Sequence, residues 1–155
     1  MKFSTREDID APIQDVFDAL TEFESFERSA MRRGAEEHRT DTLTEPGVGM
    51  TWRAAFRMRG RTRELDLKMV SMERPDELVI HATSSAVSGA FVIELMALSR
   101  SRTRVNIGLE LTPLNLAARL FIQSLKLTKS KLTKRFKLRV AEYAQLMEER
   151  LKNRA

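Results

Sequence analysis

The sequence contains no cysteine and only two histidines among its 155 residues. Without cysteine the chain can form neither a disulfide framework nor a thiolate metal site, and it has no cysteine nucleophile. His38 and His81 lack a second histidine or a carboxylate at metal-ligand spacing, so we interpret both as solvated or hydrogen-bonded surface groups. A glycine-rich phosphate loop and a nucleophile elbow are also absent from the sequence. These absences indicate no metal site and no cofactor.

Long apolar runs are missing as well. A membrane-spanning helix needs ~18 or more apolar residues in succession, whereas the longest candidate, Leu114 to Ile122, is interrupted by Asn115 and Arg119. The N-terminus carries charges where a signal peptide has its apolar core. Hydrophobic residues make up 42% of the chain and charged residues 32%, which is typical of a folded globular protein. We therefore predict a cytoplasmic protein with a single domain over residues 1–155.

The spacing of apolar residues predicts the order of the secondary structure. Residues 2–10 alternate and predict an edge strand, Pro12 begins a first short helix, and residues 23–33 predict a second one. From Ala35 to Thr112 the period is two, which predicts about six antiparallel strands joined by short polar turns. After Pro113 the period becomes helical again. The apolar stripe of this last segment contains Leu114, Ala118, Phe121, Leu125, Leu132, Phe136, Val140, Tyr143 and Met147.

This order predicts an α+β fold in which a curved antiparallel sheet of about six to seven strands wraps around a long C-terminal helix. Two short helices follow the first strand. A sheet with one apolar face needs a partner layer, and the last helix is the one large candidate. The curvatures of a bent sheet and a helix do not match everywhere, so a space can remain between them.

The segment Ile9-Asp10-Ala11-Pro12-Ile13-Gln14-Asp15-Val16-Phe17-Asp18-Ala19-Leu20-Thr21 resembles the opening of the helix-grip (SRPBCC) superfamily. In that superfamily an initial strand ends in an Ala-Pro pair and an apolar helix follows directly. Its members include START lipid-transfer domains, aromatic polyketide cyclases, coenzyme Q-binding proteins and the birch-pollen allergen. The resemblance implies that the chain binds or carries a small hydrophobic ligand, such as a lipid, a quinone-like or a polyketide-like molecule. Many members have a Trp-Pro pair in the second helix, where this chain has Ala30-Met31-Arg32, so the cavity wall there is undefined.

The inward-facing residues of the predicted sheet and last helix are the candidate ligand contacts. They are Trp52, Phe56, Leu65, Leu67, Met69, Phe91, Leu95, Ile107, Leu109, Phe121 and Leu125. If the last helix is unbroken, Lys129 also faces inward and can anchor an acidic ligand head, unless it snorkels outward. The competing interpretation is a dry, filled core, which alternating apolar residues usually form.

Glu94 is a carboxylate in the middle of an apolar predicted strand. If Phe91, Ile93 and Leu95 face inward, Glu94 faces water and the chain has no catalytic residue. In the opposite phase Glu94 lines the cavity, where burial raises the pKa of a carboxyl group and suits it to proton transfer. The second phase predicts an enzyme of the cyclase or dehydratase type with Glu94 as its acid/base.

The excess of positive charge lies in the C-terminal segment. Residues 114–155 contain 11 Lys and Arg against 3 Glu, whereas the rest of the chain has 16 basic and 19 acidic residues. The predicted outward face contains Leu127, Lys131, Lys134, Lys137 and Leu138, with Leu116 and Leu120 on the same side. Such a face predicts docking on an anionic membrane surface, or packing against a partner protein or a second copy in a homodimer. A helix break near Thr128-Lys129-Ser130 would instead rotate part of the segment and hide some of the leucines.

A second basic feature is the arginine-rich hairpin predicted around Gly60. It contains Arg53, Arg57, Arg59, Arg61 and Arg63, partly balanced by Glu64 and Asp66. Nucleic-acid binding fits this charge, but aromatic residues are only 6% of the chain, too few to stack bases between the arginines. We therefore interpret the hairpin as a solvated face and expect no nucleic-acid partner.

Overall fold

The computed structural model describes residues 1–32, 34–58 and 60–154. Arg33 of the predicted second helix and Arg59 of the predicted hairpin lie outside these residues. The described residues form strands and helices in the predicted order. These are β1 (Lys2–Ile9), α1 (Ile13–Leu20), α2 (Phe23–Arg32), β2 (Glu36–Arg39), β3 (Thr51–Met58), β4 (Arg61–Glu73), β5 (Glu77–Thr83), β6 (Val87–Ser99), β7 (Arg102–Pro113), α3 (Leu116–Lys126) and α4 (Lys129–Arg154).

The strands form one antiparallel sheet in the order β1-β7-β6-β5-β4-β3-β2. β1 and β2 are consecutive strands along the chain, yet they lie at opposite edges of the sheet, because α1 and α2 connect them. Register shifts between Met69 and Ser71 in β4, and between Ala97 and Ser99 in β6, increase the local bend and twist. The predicted α+β class, the meander and the curved antiparallel sheet are confirmed.

The first helix begins directly after Pro12, as predicted, because a residue without an N–H loses nothing at this position. α1 buries Val16 and Phe17 completely against the sheet. The hydroxyl of the fully buried Thr103 donates a hydrogen bond to the Ala11 carbonyl at 2.8 Å. This bond fixes the turn from β1 into α1 against β7.

The C-terminal segment consists of two helices. At the start of α3 the Asn115 side chain accepts a hydrogen bond from the Ala118 amide at 2.8 Å. The Thr128 amide and hydroxyl both donate to the Leu125 carbonyl, at 3.0 and 3.2 Å, and close the last turn of α3. The break at Leu127–Thr128 therefore falls where the alternative interpretation of the sequence expected it. α4 is still 26 residues long, about 40 Å.

α4 packs along β1 on the concave face of the sheet, and the two elements run in the same direction. Near the start of β1 the rings of Phe3 and Phe136 lie 5.9 Å apart. Just after its end the Asp10 amide donates to the Glu148 carboxylate at 2.9 Å. Within the described ranges no helix is long and apolar enough to cross a membrane.

Candidate ligand-binding cavity

A cavity of about 230 Å³ lies between α4 and the concave face of the sheet. Its lining comes from β1, β6 and β7 on one side, from α4 on the other, and from α1 and α2 at one end. The lining residues are Glu7, Ile9, Leu20, Phe26, Phe91, Ile93, Val105, Ile107, Phe136, Arg139, Val140, Tyr143, Ala144 and Met147. The surface is almost entirely apolar, which suits a hydrophobic guest.

The two periodicities of the sequence build the two walls. In β1, β6 and β7 the lining residues are two positions apart, because alternate side chains of a strand share one face. On α4 the lining residues follow spacings of three and four, which places them on one face of the helix. Ala144 contributes the smallest side chain to the helix wall, so the helix leaves room at the point where it faces the sheet.

Aromatic contacts support the α2 end of the cavity. Tyr143 stacks on Phe26 with ring centroids 5.2 Å apart and an interplanar angle of 27°. Phe23 contacts the Trp52 ring at 5.3 Å, and the Trp52 indole N–H donates to the Glu27 carboxylate at 3.2 Å. Burial raises the pKa of Tyr143, so its hydroxyl stays protonated and can donate a hydrogen bond.

The structure brings two of the predicted ligand contacts, Phe91 and Ile107, to this cavity. Trp52, Met69 and Leu95 are buried in the core outside its lining. The remaining predicted contacts are partly buried and also outside the lining: Phe56, Leu65, Leu67, Leu109, Phe121 and Leu125. For the residues of β3 and β4 the cause is the position of α4, which packs along β1 at one edge of the sheet, far from these two strands in the strand order.

Lys129 does not reach the cavity. It is the first residue of α4 and is exposed, because the break before it ends the continuous helical stripe that would have turned it inward. The structure therefore gives Lys129 no role as an anchor inside the cavity.

The helical wall of the cavity was not identified as a site from the sequence. Phe136, Val140, Tyr143 and Met147 belonged to the predicted apolar stripe, but nothing in the sequence distinguished the part of the stripe that borders the cavity from the part that does not. Their spacing of four, three and four residues was the available signal. It defines one face of a helix without defining what lies opposite.

Glu94 lies on the outer face of the sheet. Its neighbours Ile93 and Leu95 are buried, whereas Glu94 is exposed and pairs across the sheet with Asn106 and Glu77. β6 therefore has the phase in which this carboxylate faces water, and the condition for an acid/base role in the cavity is not met. Glu94 instead borders an open, polar hollow of about 360 Å³ on the outer face.

The outward leucines remain exposed although the C-terminal segment is broken. The exposed fractions are 70% for Leu116, 59% for Leu120, 88% for Leu127 and 59% for Leu138. The predicted basic residues of the same surface, Lys131, Lys134 and Lys137, are exposed as well. The break therefore did not hide these leucines, and an apolar and basic surface covers α3 and the first half of α4.

The other polar candidates lie at the surface. His38 and His81 are exposed, and the described residues contain no cluster of three or more His, Asp and Glu that could hold a metal ion. Arg53 of the predicted hairpin forms an ion pair with Asp66 at 3.1 Å. Arg57, Arg61 and Arg63 are exposed.

Comparison with known proteins supports the fold. No protein-family model matches the chain, and no curated protein matches it in sequence. Among solved structures, a Staphylococcus aureus protein of unknown function superposes with a TM-score of 0.67 at 12% identity, covering 99% of this chain and 97% of that one. The Zhui aromatase/cyclase from Streptomyces sp. R1128 gives 0.57 at 12% identity, covering 75% and 70%. A START superfamily protein from Mycobacterium smegmatis gives 0.56 at 10% identity, covering 86% and 95%.

These likenesses show that the chain has the helix-grip fold. The resemblance noted in the Ile9–Thr21 segment is thereby confirmed at the level of the fold. The Ala-Pro pair and the apolar helix after it lie in the structure where the resemblance placed them, between the first strand and the second helix.

Proposed function

We propose that residues 1–155 form a single ligand-binding domain that holds a small hydrophobic molecule between α4 and strands β1, β6 and β7. The observation that carries this proposal is the cavity itself. Protein interiors are normally packed as densely as organic crystals, with few voids larger than one water molecule. A partly open cavity of about 230 Å³ with an apolar wall leaves space for a guest that a filled core would not leave.

The volume limits the part of a ligand that can be enclosed. At ~30 Å³ for each water-sized group, 230 Å³ accommodates about eight heavy atoms. A longer ligand must extend through the mouth, where Arg139 is exposed. The resemblance of the chain to START lipid-transfer domains and aromatic polyketide cyclases implies ligands of the lipid and polyketide classes, and a START superfamily protein and an aromatase/cyclase are among the similar structures.

Native mass spectrometry of gently purified protein tests this proposal. We expect an apolar adduct on the folded protein that is lost on denaturation, and we expect saturable binding of the neutral fluorescent probe N-phenyl-1-naphthylamine. Protein that carries no adduct and binds no probe would contradict the proposal.

We further propose that the surface formed by Leu116, Leu120, Leu127 and the lysines of α4 docks on an anionic membrane. Seven basic residues and no acidic ones lie between Lys126 and Arg139, and exposed leucines stand among them. Leucines contribute apolar insertion into the interface, and each Lys or Arg contributes about 1 kcal/mol near a negative surface. The same helix, α4, lines the cavity, so docking would bring the cavity close to a source of apolar ligand.

Vesicle sedimentation tests the docking. We expect binding to vesicles of phosphatidylcholine with phosphatidylserine, weak binding without phosphatidylserine, and loss of binding in high salt. The double variant Leu120→Ser with Leu127→Ser should bind less, whereas Leu146→Ser, on an exposed leucine in the second half of α4, should bind like the wild type. If light scattering instead shows a dimer that the double variant dissociates, the surface is a homodimer interface and the membrane proposal fails.

A further inference from the structure

Two charged side chains, Glu7 and Arg139, belong to the otherwise apolar lining of the cavity. Glu7 extends from the inward face of β1 and is partly buried, and Arg139 extends from α4 and is exposed at the mouth. Throughout the described part of the chain neither residue has an ion pair or a hydrogen bond through its side chain. Other charged groups at the cavity end of the molecule do have partners, such as Glu148 with the Asp10 amide. Glu7 and Arg139 therefore face the cavity with their hydrogen-bonding capacity unused by the protein.

The packing of α4 on β1 places these two groups close together along the cavity. The Phe3–Phe136 contact and the Asp10–Glu148 hydrogen bond align the two elements at both ends. By residue number, Glu7 is about midway between Phe3 and Asp10, and Tyr143 is about midway between Phe136 and Glu148, so the two contacts put Glu7 and Tyr143 at about the same height along the cavity. Arg139 is one helical turn earlier, about 5–6 Å along the axis. A head group of a few heavy atoms at the mouth can contact both side chains.

The chemistry of the pair limits the head group. A carboxylate can only accept hydrogen bonds, and a guanidinium can only donate them. An anionic head would be attracted by Arg139 but repelled by Glu7. A cationic head would be attracted by Glu7 but repelled by Arg139. A neutral group that both donates and accepts, such as a hydroxyl, a phenol or an amide, satisfies both residues at once.

We infer that the ligand is a neutral amphiphile whose hydroxyl, phenol or amide head binds between Glu7 and Arg139, with its apolar body enclosed by the cavity. This inference rests on the proposed ligand binding and adds the class of the ligand. The apolar body then lies among the apolar residues of the lining, such as Phe91, Ile93 and Met147.

Competition among three ligands of equal chain length tests the inference. Octanol, octanoate and octylamine are titrated against bound N-phenyl-1-naphthylamine at neutral pH, below their micellar concentrations. We expect octanol to bind about tenfold more tightly than either ion. Glu7→Gln should shift the preference toward octanoate by about tenfold, and Arg139→Gln should shift it toward octylamine. Lys68→Gln removes an exposed basic residue of β4 that is outside the lining and should leave all three affinities unchanged.

The outcomes separate this inference from the proposed function. If the probe does not bind at all, the cavity proposal itself fails. If the three competitors bind with affinities that neither Gln variant changes, the cavity binds ligands but the head-group inference is wrong. A preference of the wild type for octanoate or octylamine over octanol would also overturn it, and this readout does not depend on the folding of any variant.

Discussion

Filling the cavity from its helical wall should weaken ligand binding without harming the fold. Ala144 is 8% exposed and lines the cavity from α4. Ala144→Leu adds three carbon groups, which at ~30 Å³ each occupy about 90 Å³ of the 230 Å³ available. A bound ligand must then leave a similar number of its own carbon groups outside the cavity. Each CH₂ that is buried contributes about 0.8 kcal/mol to the binding free energy. The loss is about 2.4 kcal/mol, or roughly 50-fold in Kd.

The stability of the same variant distinguishes a cavity from a filled core. In a void the three new groups are buried without displacing neighbours, so we expect the Tm to stay constant or to rise by up to about 4–8 °C, equivalent to about 2 kcal/mol. In a close-packed core the same substitution would force neighbouring side chains off their rotamers, at a cost of about 1–3 kcal/mol. Leucine and alanine are both good helix formers, so helix propensity contributes little to either outcome.

Fluorescence titration with N-phenyl-1-naphthylamine measures the affinity, and a circular dichroism melt measures the Tm. Ala117→Leu is the matched control, because Ala117 is an exposed alanine of α3 outside the cavity. It should change neither the Kd nor the Tm by a measurable amount. The reasoning is refuted if Ala144→Leu lowers the Tm by several degrees and binds the probe as tightly as the wild type does.

Three further substitutions test the contacts that support the fold. Thr103→Val removes the hydrogen bond that the Thr103 hydroxyl donates to the Ala11 carbonyl. Because that carbonyl loses its partner, the free energy of unfolding measured by urea titration should fall by about 1–3 kcal/mol. Arg39 and two backbone amides hold the pKa of Asp41 well below its usual range. Asp41→Asn should therefore lower the Tm at pH 7, and the difference in Tm between wild type and variant should shrink as the pH falls below about 4. Burial raises the pKa of Glu37; its ionised form therefore destabilises the fold at neutral pH, and Glu37→Gln should melt at a higher temperature at pH 7 but not below about pH 4. A Glu37→Gln melt that is unchanged at both pH values would show that this carboxylate is fully solvated.

The phase of β7 and the start of the first helix were predictable because both depend on local patterns. The alternation of apolar and polar residues in β7 already assigns Val105 and Ile107 to one face, and that face is buried. Pro12 and the apolar spacing after it set the start and the buried side of α1. For β6 the local pattern allowed two phases, and the buried Ile93 and Leu95 leave Glu94 on the outside. A strand with apolar residues in both phases does not reveal its buried face without its neighbours.

The sequence predicted only some of the residues that line the cavity. Phe91 and Ile107 could be predicted as wall residues since they lie on the inward face of central strands. Trp52 and Met69 share that inward face, yet they are buried among other core side chains and do not belong to the lining of the cavity. Periodicity assigns a residue to a face, but it contains no information about the distance to the layer opposite.

The sequence by itself determined the order of the elements, the α+β class and the concentration of positive charge on the C-terminal helices. Each of these follows from spacing or composition within a short stretch of chain. The tertiary structure alone decided that α4 lies along β1, that the cavity forms beside β1, β6 and β7, and that Glu7 and Arg139 both belong to its lining. These features depend on contacts between residues more than 100 positions apart, such as Phe3 with Phe136 and Asp10 with Glu148. Such contacts are fixed by the packing of whole layers against one another, and no local pattern encodes them.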